Sequence, residues 1–107
     1  MEIVQYQIAL VNLDSTVGSE IQKTRPCVII SPDEMNRHLQ TVVVAPLTTT
    51  SKPYPTRIRI SHENTTGWIA VDQIRTIDKS RIIRIEGMLS SSEIKTLKSI
   101  IRQTFVD

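Results

Sequence analysis

A chain of 107 residues, 39% hydrophobic and 22% charged, can bury one modest core without disulfides or a metal to hold it, and its length fits one domain over residues 1–107. Its formal charge of +2 suits a polyanionic partner and an ordinary solvated surface equally well. The lone cysteine, Cys27, excludes an internal disulfide scaffold and fits a reducing, cytoplasmic setting; no signal peptide or membrane span is visible.

Gln7 to Leu13 reads as the first strand, followed by an exposed loop, Asp14 to Arg25, rich in Ser, Thr and Lys. Pro26 to Ser31 is almost wholly apolar and predicts a central strand that Pro26 opens. Cys27 lies inside that run and reads as a core residue rather than a nucleophile. Ser31 as a cap, Pro32 at the first helical position and Glu34 at the third predict a short helix to about Leu39. Thr41 to Leu47 is the third strand, with a bend or an edge at Pro46, and Thr48 to Pro55 is a second exposed loop.

Thr56 to Ser61 alternates: Ile58 and Ile60 point one way, Arg57 and Arg59 the other, giving a half-buried strand with a basic face. His62, Glu63 and Asn64 read as a polar turn. Trp68 to Ile74 and Arg81 to Leu89 complete six strands, with Gly87 marking a bulge in the last. Ser90 and Glu93 form a capping box before Ile94, Leu97, Ile101 and Phe105, which recur at helical spacing with Ile100 beside them. This amphipathic C-terminal helix packs on the sheet or on a partner subunit. Short strands at this spacing favour a curled sheet or small barrel over a sandwich.

Familiar catalytic patterns are absent: no glycine-rich phosphate loop, no paired cysteines and no nucleophile elbow. The two histidines, His38 and His62, are far apart in sequence; they read as surface and turn residues, with a proton-carrying role for either left open. Arg25, between a polar loop and a central strand, either grips a phosphate with two donors or pairs with a surface carboxylate. Thr48, Thr49 and Thr50 offer hydroxyls to a phosphate or sugar, or are simply loop. Asp72, inside an apolar strand, faces solvent, holds a turn or an Arg, or moves a proton. Arg57 with Arg59, and Arg75 with Lys79, Arg81 and Arg84, make two candidate basic patches. No carboxylate cluster suits divalent metals, so no metal or cofactor is expected. If the chain cleaves a nucleic acid, RNA is then the simpler substrate, because its 2′-hydroxyl is a built-in nucleophile.

Taken in order, these segments resemble the MazF/PemK family of toxin endoribonucleases over nearly the whole chain from Ile8. The resemblance rests on Val11-Asn12-Leu13-Asp14 with Gly18-Ser19-Glu20, on Lys23-Thr24-Arg25-Pro26 and the apolar run after it, and on Asn36. It continues through Thr41 to Thr48, Gly67, Ala70-Val71-Asp72-Gln73-Ile74-Arg75 and the turn before Arg81. It implies a mainly β, small SH3-like barrel of the MazF/PemK/CcdB-like type, with a short helix after strand 2 and a C-terminal amphipathic helix. It further implies a homodimer that cuts single-stranded RNA, usually messenger RNA, at short sequences without a metal, leaving a 2′,3′-cyclic phosphate and a 5′-hydroxyl.

The same resemblance places catalysis on Arg25 and Thr48, with Asp72 as a third candidate. RNA contacts fall on Ser19, Glu20 and Lys23 in the first loop, Thr49, Thr50 and Lys52 in the second, and Arg57, Gln73 and Arg75. A cognate antitoxin is expected to lay a flexible acidic C-terminal segment across the groove. The chain departs from the family at Gln5 to Leu10, which lacks the usual Gly and aromatic residue, and at Ala70, where some relatives carry an Arg. The alternative of a different class is a non-catalytic toxin, a small barrel binding nucleic acid or DNA gyrase, which should tolerate the loss of Arg25 and Thr48.

Overall fold

Alternating and apolar runs become strands in the computed structural model, which describes residues 2–62 and 65–106. In chain order these are β1 (Gln7–Asn12), β2 (Thr24–Ile29), helix α1 (Asp33–His38), β3 (Thr41–Thr48), β4 (Arg57–His62) and β5 (Thr65–Ala70). A 3-10 turn (Val71–Gln73), β6 (Arg75–Asp78), a second 3-10 turn (Lys79–Arg81), β7 (Ile82–Met88) and helix α2 (Ser91–Phe105) complete the chain. The strands form one antiparallel sheet in the order β4-β5-β3-β2-β1-β7, with β6 also paired to β3. The sheet curls into the small barrel that the strand spacing predicts. β3 changes partner along its length: Thr41 to Val44 pair with β6, and Leu47 and Thr48 pair with β5.

Period-two alternation gives the sheet two buried faces. Val28, Ala45, Leu47, Ile58, Ile60 and Ile69 pack with Ile8 and Leu97 of α2. Cys27, Ile29, Val42 and Val44 point the other way and pack with Ala9, Val11 and Ile77. Ser90 caps α2 as expected: its hydroxyl accepts from the Glu93 amide at 3.2 Å, and the Glu93 carboxylate accepts from the Ser90 amide at 2.8 Å. Leu97 is fully buried, and Ile94, Ile100 and Ile101 lie against the core. The packed stripe ends there, one turn short of the expectation, and Phe105 is left exposed. The predicted bulge in the last strand is present: Ile8 faces Gly87 and Ala9 faces Ile85, so Glu86 is the extra residue.

Four sequence expectations are corrected. Ser31 does not cap α1, whose N-cap is Pro32 with no side-chain cap bond. Its hydroxyl is instead buried, donating to Asn36 Oδ1 at 2.6 Å and accepting the Val43 amide at 3.0 Å, so it ties the helix to β3. The strand expected over Trp68–Ile74 stops at Ala70, where the backbone closes into a 3-10 turn; the Val71 amide donates to Thr56 O at 3.0 Å and the Asp72 carboxylate is held by Thr56 and Arg57, far back in the chain. The strand β6, a seventh, was not foreseen. Finally, the second basic patch is largely committed to backbone carbonyls: Arg75 donates to Leu13 O, Lys79 to Asn36 O, and Arg81 to Asn12 O and Asp14 O. Of the polar turn after β4, Glu63 and Asn64 lie outside the described residues. Among the described residues, no helix is long and apolar enough to cross a membrane.

Candidate functional site

The β2–β3 ladder sets Ile29 opposite Val44, Val28 opposite Ala45 and Cys27 opposite Pro46. Two residues beyond the last pair, on the sheet face shared by Cys27 and Pro46, lie Arg25 on β2 and Thr48 on β3. Thr48 in turn faces Trp68 of β5, and Trp68 faces Arg59 of β4. Thr48, Trp68 and Arg59 therefore form one row across three strands, with Arg25 at its β2 end, two residues past the last β2–β3 pair. The neighbouring row, Cys27 and Pro46, is buried, so the site opens where core gives way to solvent.

Arg25 is half-buried, and its Nε donates to Gln22 O at 3.0 Å. That bond fixes the direction of the guanidinium while its two terminal nitrogens have no partner among the described residues. Thr48 Oγ1 donates to Thr50 O at 3.0 Å, which orders the start of the following loop. Burial pushes the Cys27 thiol up to about 12 even though the positive charges of Arg75 and Arg25 pull the other way. Cys27 is core, as expected.

A groove of about 400 Å³ adjoins this row, lined by Ser19, Glu20 and Ile21 from the β1–β2 loop, by Pro46, and by Asp72, Gln73, Ile74 and Arg75. Five of the predicted site residues meet there: Ser19, Glu20, Asp72, Gln73 and Arg75. The loop is held against the groove by Gln73, whose Oε1 accepts from the Ile21 amide at 2.7 Å, and by Arg75, which donates to Leu13 O at 3.0 Å. Glu20 folds back on its own loop, accepting from the Val17 amide at 2.6 Å. Lys23 sits at φ 70°, with its amide on Asp14 Oδ1 at 2.8 Å and its side chain exposed.

Asp72 resolves into one of its open readings: it holds an arginine. Arg57 Nε and Nη2 donate to its two carboxylate oxygens at 2.7 and 2.9 Å, and Thr56 Oγ1 adds a third bond at 2.9 Å. The hydrogen bond from Arg57, aided by that from Thr56, lowers the Asp72 pKa below its ordinary value despite partial burial. With its side chain only 14% exposed, Arg57 is an anchor more than a free cation; it also reaches Ser51 Oγ at 3.2 Å and lies 5.8 Å from the Tyr54 ring centroid. Asp72 and Arg57 therefore moor the loop after β3, which carries exposed Thr49, Thr50 and Lys52 at the far end of the site. No group of three or more metal-ligating side chains occurs among the described residues.

Sequence reasoning passed over Tyr54 and Trp68. The signal for Trp68 was available: it alternates with buried Ile69, so it had to lie on the face opposite the core that Ile69 joins.

Known proteins align with this geometry. The chain is 32% identical over 90 residues to the endoribonuclease toxin MazF of Escherichia coli, covering 83% of this chain and 81% of that one. MazF of Deinococcus radiodurans superposes with a TM-score of 0.88 at 18% identity over 97% of this chain and 96% of that one. A mycobacterial endoribonuclease in complex with its cognate antitoxin gives 0.81 at 22% identity, over 94% and 92%. Residues 4–105 match the family described as the PemK-like, MazF-like toxin of type II toxin–antitoxin systems, and the chain belongs to that family.

Proposed function

We propose that the chain, acting as one toxin domain, is an endoribonuclease that cuts single-stranded RNA by in-line attack of the 2′-oxygen on the adjacent phosphorus. The 2′-hydroxyl gives up its proton to solvent water, the bond from phosphorus to the 5′-oxygen breaks, and that oxygen takes a proton from solvent as it leaves. The products are a 2′,3′-cyclic phosphate and a 5′-hydroxyl. What carries this reading is that Arg25 and Thr48 each lie two residues from the pair Cys27–Pro46, whose Pro46 lines a groove of about 400 Å³. The terminal nitrogens of Arg25, without a partner among the described residues, stabilise charge gathering on the phosphorane as an always-charged fork of donors. Thr48 positions the phosphate once its hydroxyl turns away from Thr50 O. Asp72, already bound by three hydrogen bonds, acts through Arg57 and the loop it moors. Ser19, Glu20, Gln73, Arg75 and the exposed Lys23, Thr49, Thr50 and Lys52 border the path of the RNA.

The resemblance to MazF/PemK toxins supports a homodimer and a cognate antitoxin whose flexible acidic segment occupies the same groove, attracted by Arg25 and Arg75; a cytoplasmic setting suits such a pair. The chemistry needs no metal, since the nucleophile belongs to the substrate. Purified protein with a long mixed-sequence RNA in excess EDTA is expected to give discrete cuts ending in cyclic phosphates. Arg25→Ala should lower the rate at least about a hundredfold with an unaltered melting temperature. RNA left intact by folded protein, or cut normally by Arg25→Ala, would sink this mechanism and favour a non-catalytic toxin.

A further inference from the structure

Trp68 belongs to neither core. It is the only tryptophan of the chain, and it is half-buried on the open face of the sheet, directly between Thr48 and Arg59. Arg59 is exposed and holds its guanidinium 5.9 Å from the centre of the indole ring. A broad aromatic face with a cation laid against it is the surface on which single-stranded nucleic acids stack their bases, whatever their sequence. This surface lies one strand, about 5 Å, from Thr48 and two from Arg25. A nucleotide with its phosphate on Arg25 and Thr48 has a base within reach of the indole.

We propose that Trp68, with Arg59 against it, is a stacking platform for the base adjoining the scissile phosphate, so that the RNA crosses the strands from β2 towards β4. The groove beside Asp72 and Gln73 takes the nucleotides on the other side of the cut. The inference rests on the endoribonuclease reading and adds the direction of the substrate across the sheet. A cross-strand Arg–Trp pair that merely pins β4 to β5 would move stability and leave substrate affinity untouched, and this separates the two roles.

The sole tryptophan makes the test direct. Mixed-sequence single-stranded DNA of twelve nucleotides lacks the 2′-hydroxyl and can be bound without being cut. Titrating it into the protein is expected to quench indole emission, saturating at the same concentration as the polarisation of a dye on the oligonucleotide. On the long RNA, Trp68→Ala should raise KM about tenfold with kcat within about twofold, and Trp68→Phe should recover most of the loss. Oligonucleotide binding that leaves indole emission unchanged would overturn the platform, as would an unaltered KM in Trp68→Ala, while RNA cleavage itself would still stand. If the parent protein neither binds the oligonucleotide nor cuts RNA, the platform and the endoribonuclease reading fall together. Should Trp68→Ala fail to fold, the titration of the unaltered protein decides.

Discussion

Asp72 illustrates how a carboxylate in a candidate site can be a poor base. Its pKa is depressed, first by the hydrogen bond from Arg57, so its stabilising contribution is present above the unfolded value of 3.8 and is lost as pH falls through the lower folded value. Between about pH 5 and 8 it stays ionised and holds protons weakly. The pH–rate profile of Asp72→Asn is therefore expected to keep the parent's shape over that window. The rate itself should fall about tenfold as Arg57 and the loop lose their mooring. A limb that disappears in the variant would instead give Asp72 a proton-transfer role. Cys27 offers a second test at this scale. With its thiol pushed up to about 12 and its side chain buried, iodoacetamide should label the native protein at least about a hundredfold more slowly than an ordinary thiol. Denaturant should restore the reaction.

At the scale of elements, β5 is set against β3 by the absence of a side chain. A Cβ on Gly67 would stand 2.8 Å from the carbonyl oxygen of Thr48, a contact that only a backbone shift relieves. Gly67→Ala is expected to cost about 1–3 kcal/mol in thermal or urea melts and to impair cleavage further, because the displaced residue is Thr48. Leu97→Ala, on the other face of the sheet, should cost about 2–5 kcal/mol while leaving KM unchanged. Elements like α2 and β4 were legible because their periodicity is strong: Ser90 and Glu93 announced the cap, and Ile58 and Ile60 the buried face. The strand proposed through Ile74 was not, since its apolar run hid a turn that Asp72 makes only with a partner fifteen residues earlier. Ser31 was misread for a related reason, as its hydroxyl serves a partner twelve residues on. Of the candidate site, Arg25 and Thr48 were nominated through the resemblance to MazF/PemK toxins. Their alignment with Trp68 and Arg59 needed the registers of three ladders.

Across the whole molecule, the β1–β2 loop is held by residues far along the chain: Arg75 reaches a carbonyl 62 residues before it and Arg81 one 69 residues before it. Arg81→Ala should speed amide exchange throughout residues 12–24 while barely moving the melting temperature, since only a surface loop is released. The same dependence on distant partners governs β1, which is paired along its length with β7, almost at the other end of the chain, while α2 behind β7 supplies Leu97 to the core beneath the sheet. Ladders joining such remote segments close slowly, in milliseconds to seconds. On a ribosome the delay has a further meaning. The core that Ile8 shares with Leu97 is incomplete until β7 and α2 have been made, so the nascent chain has no finished fold to hold the groove before then. An endoribonuclease built in this way would leave its template intact until those segments have left the ribosome.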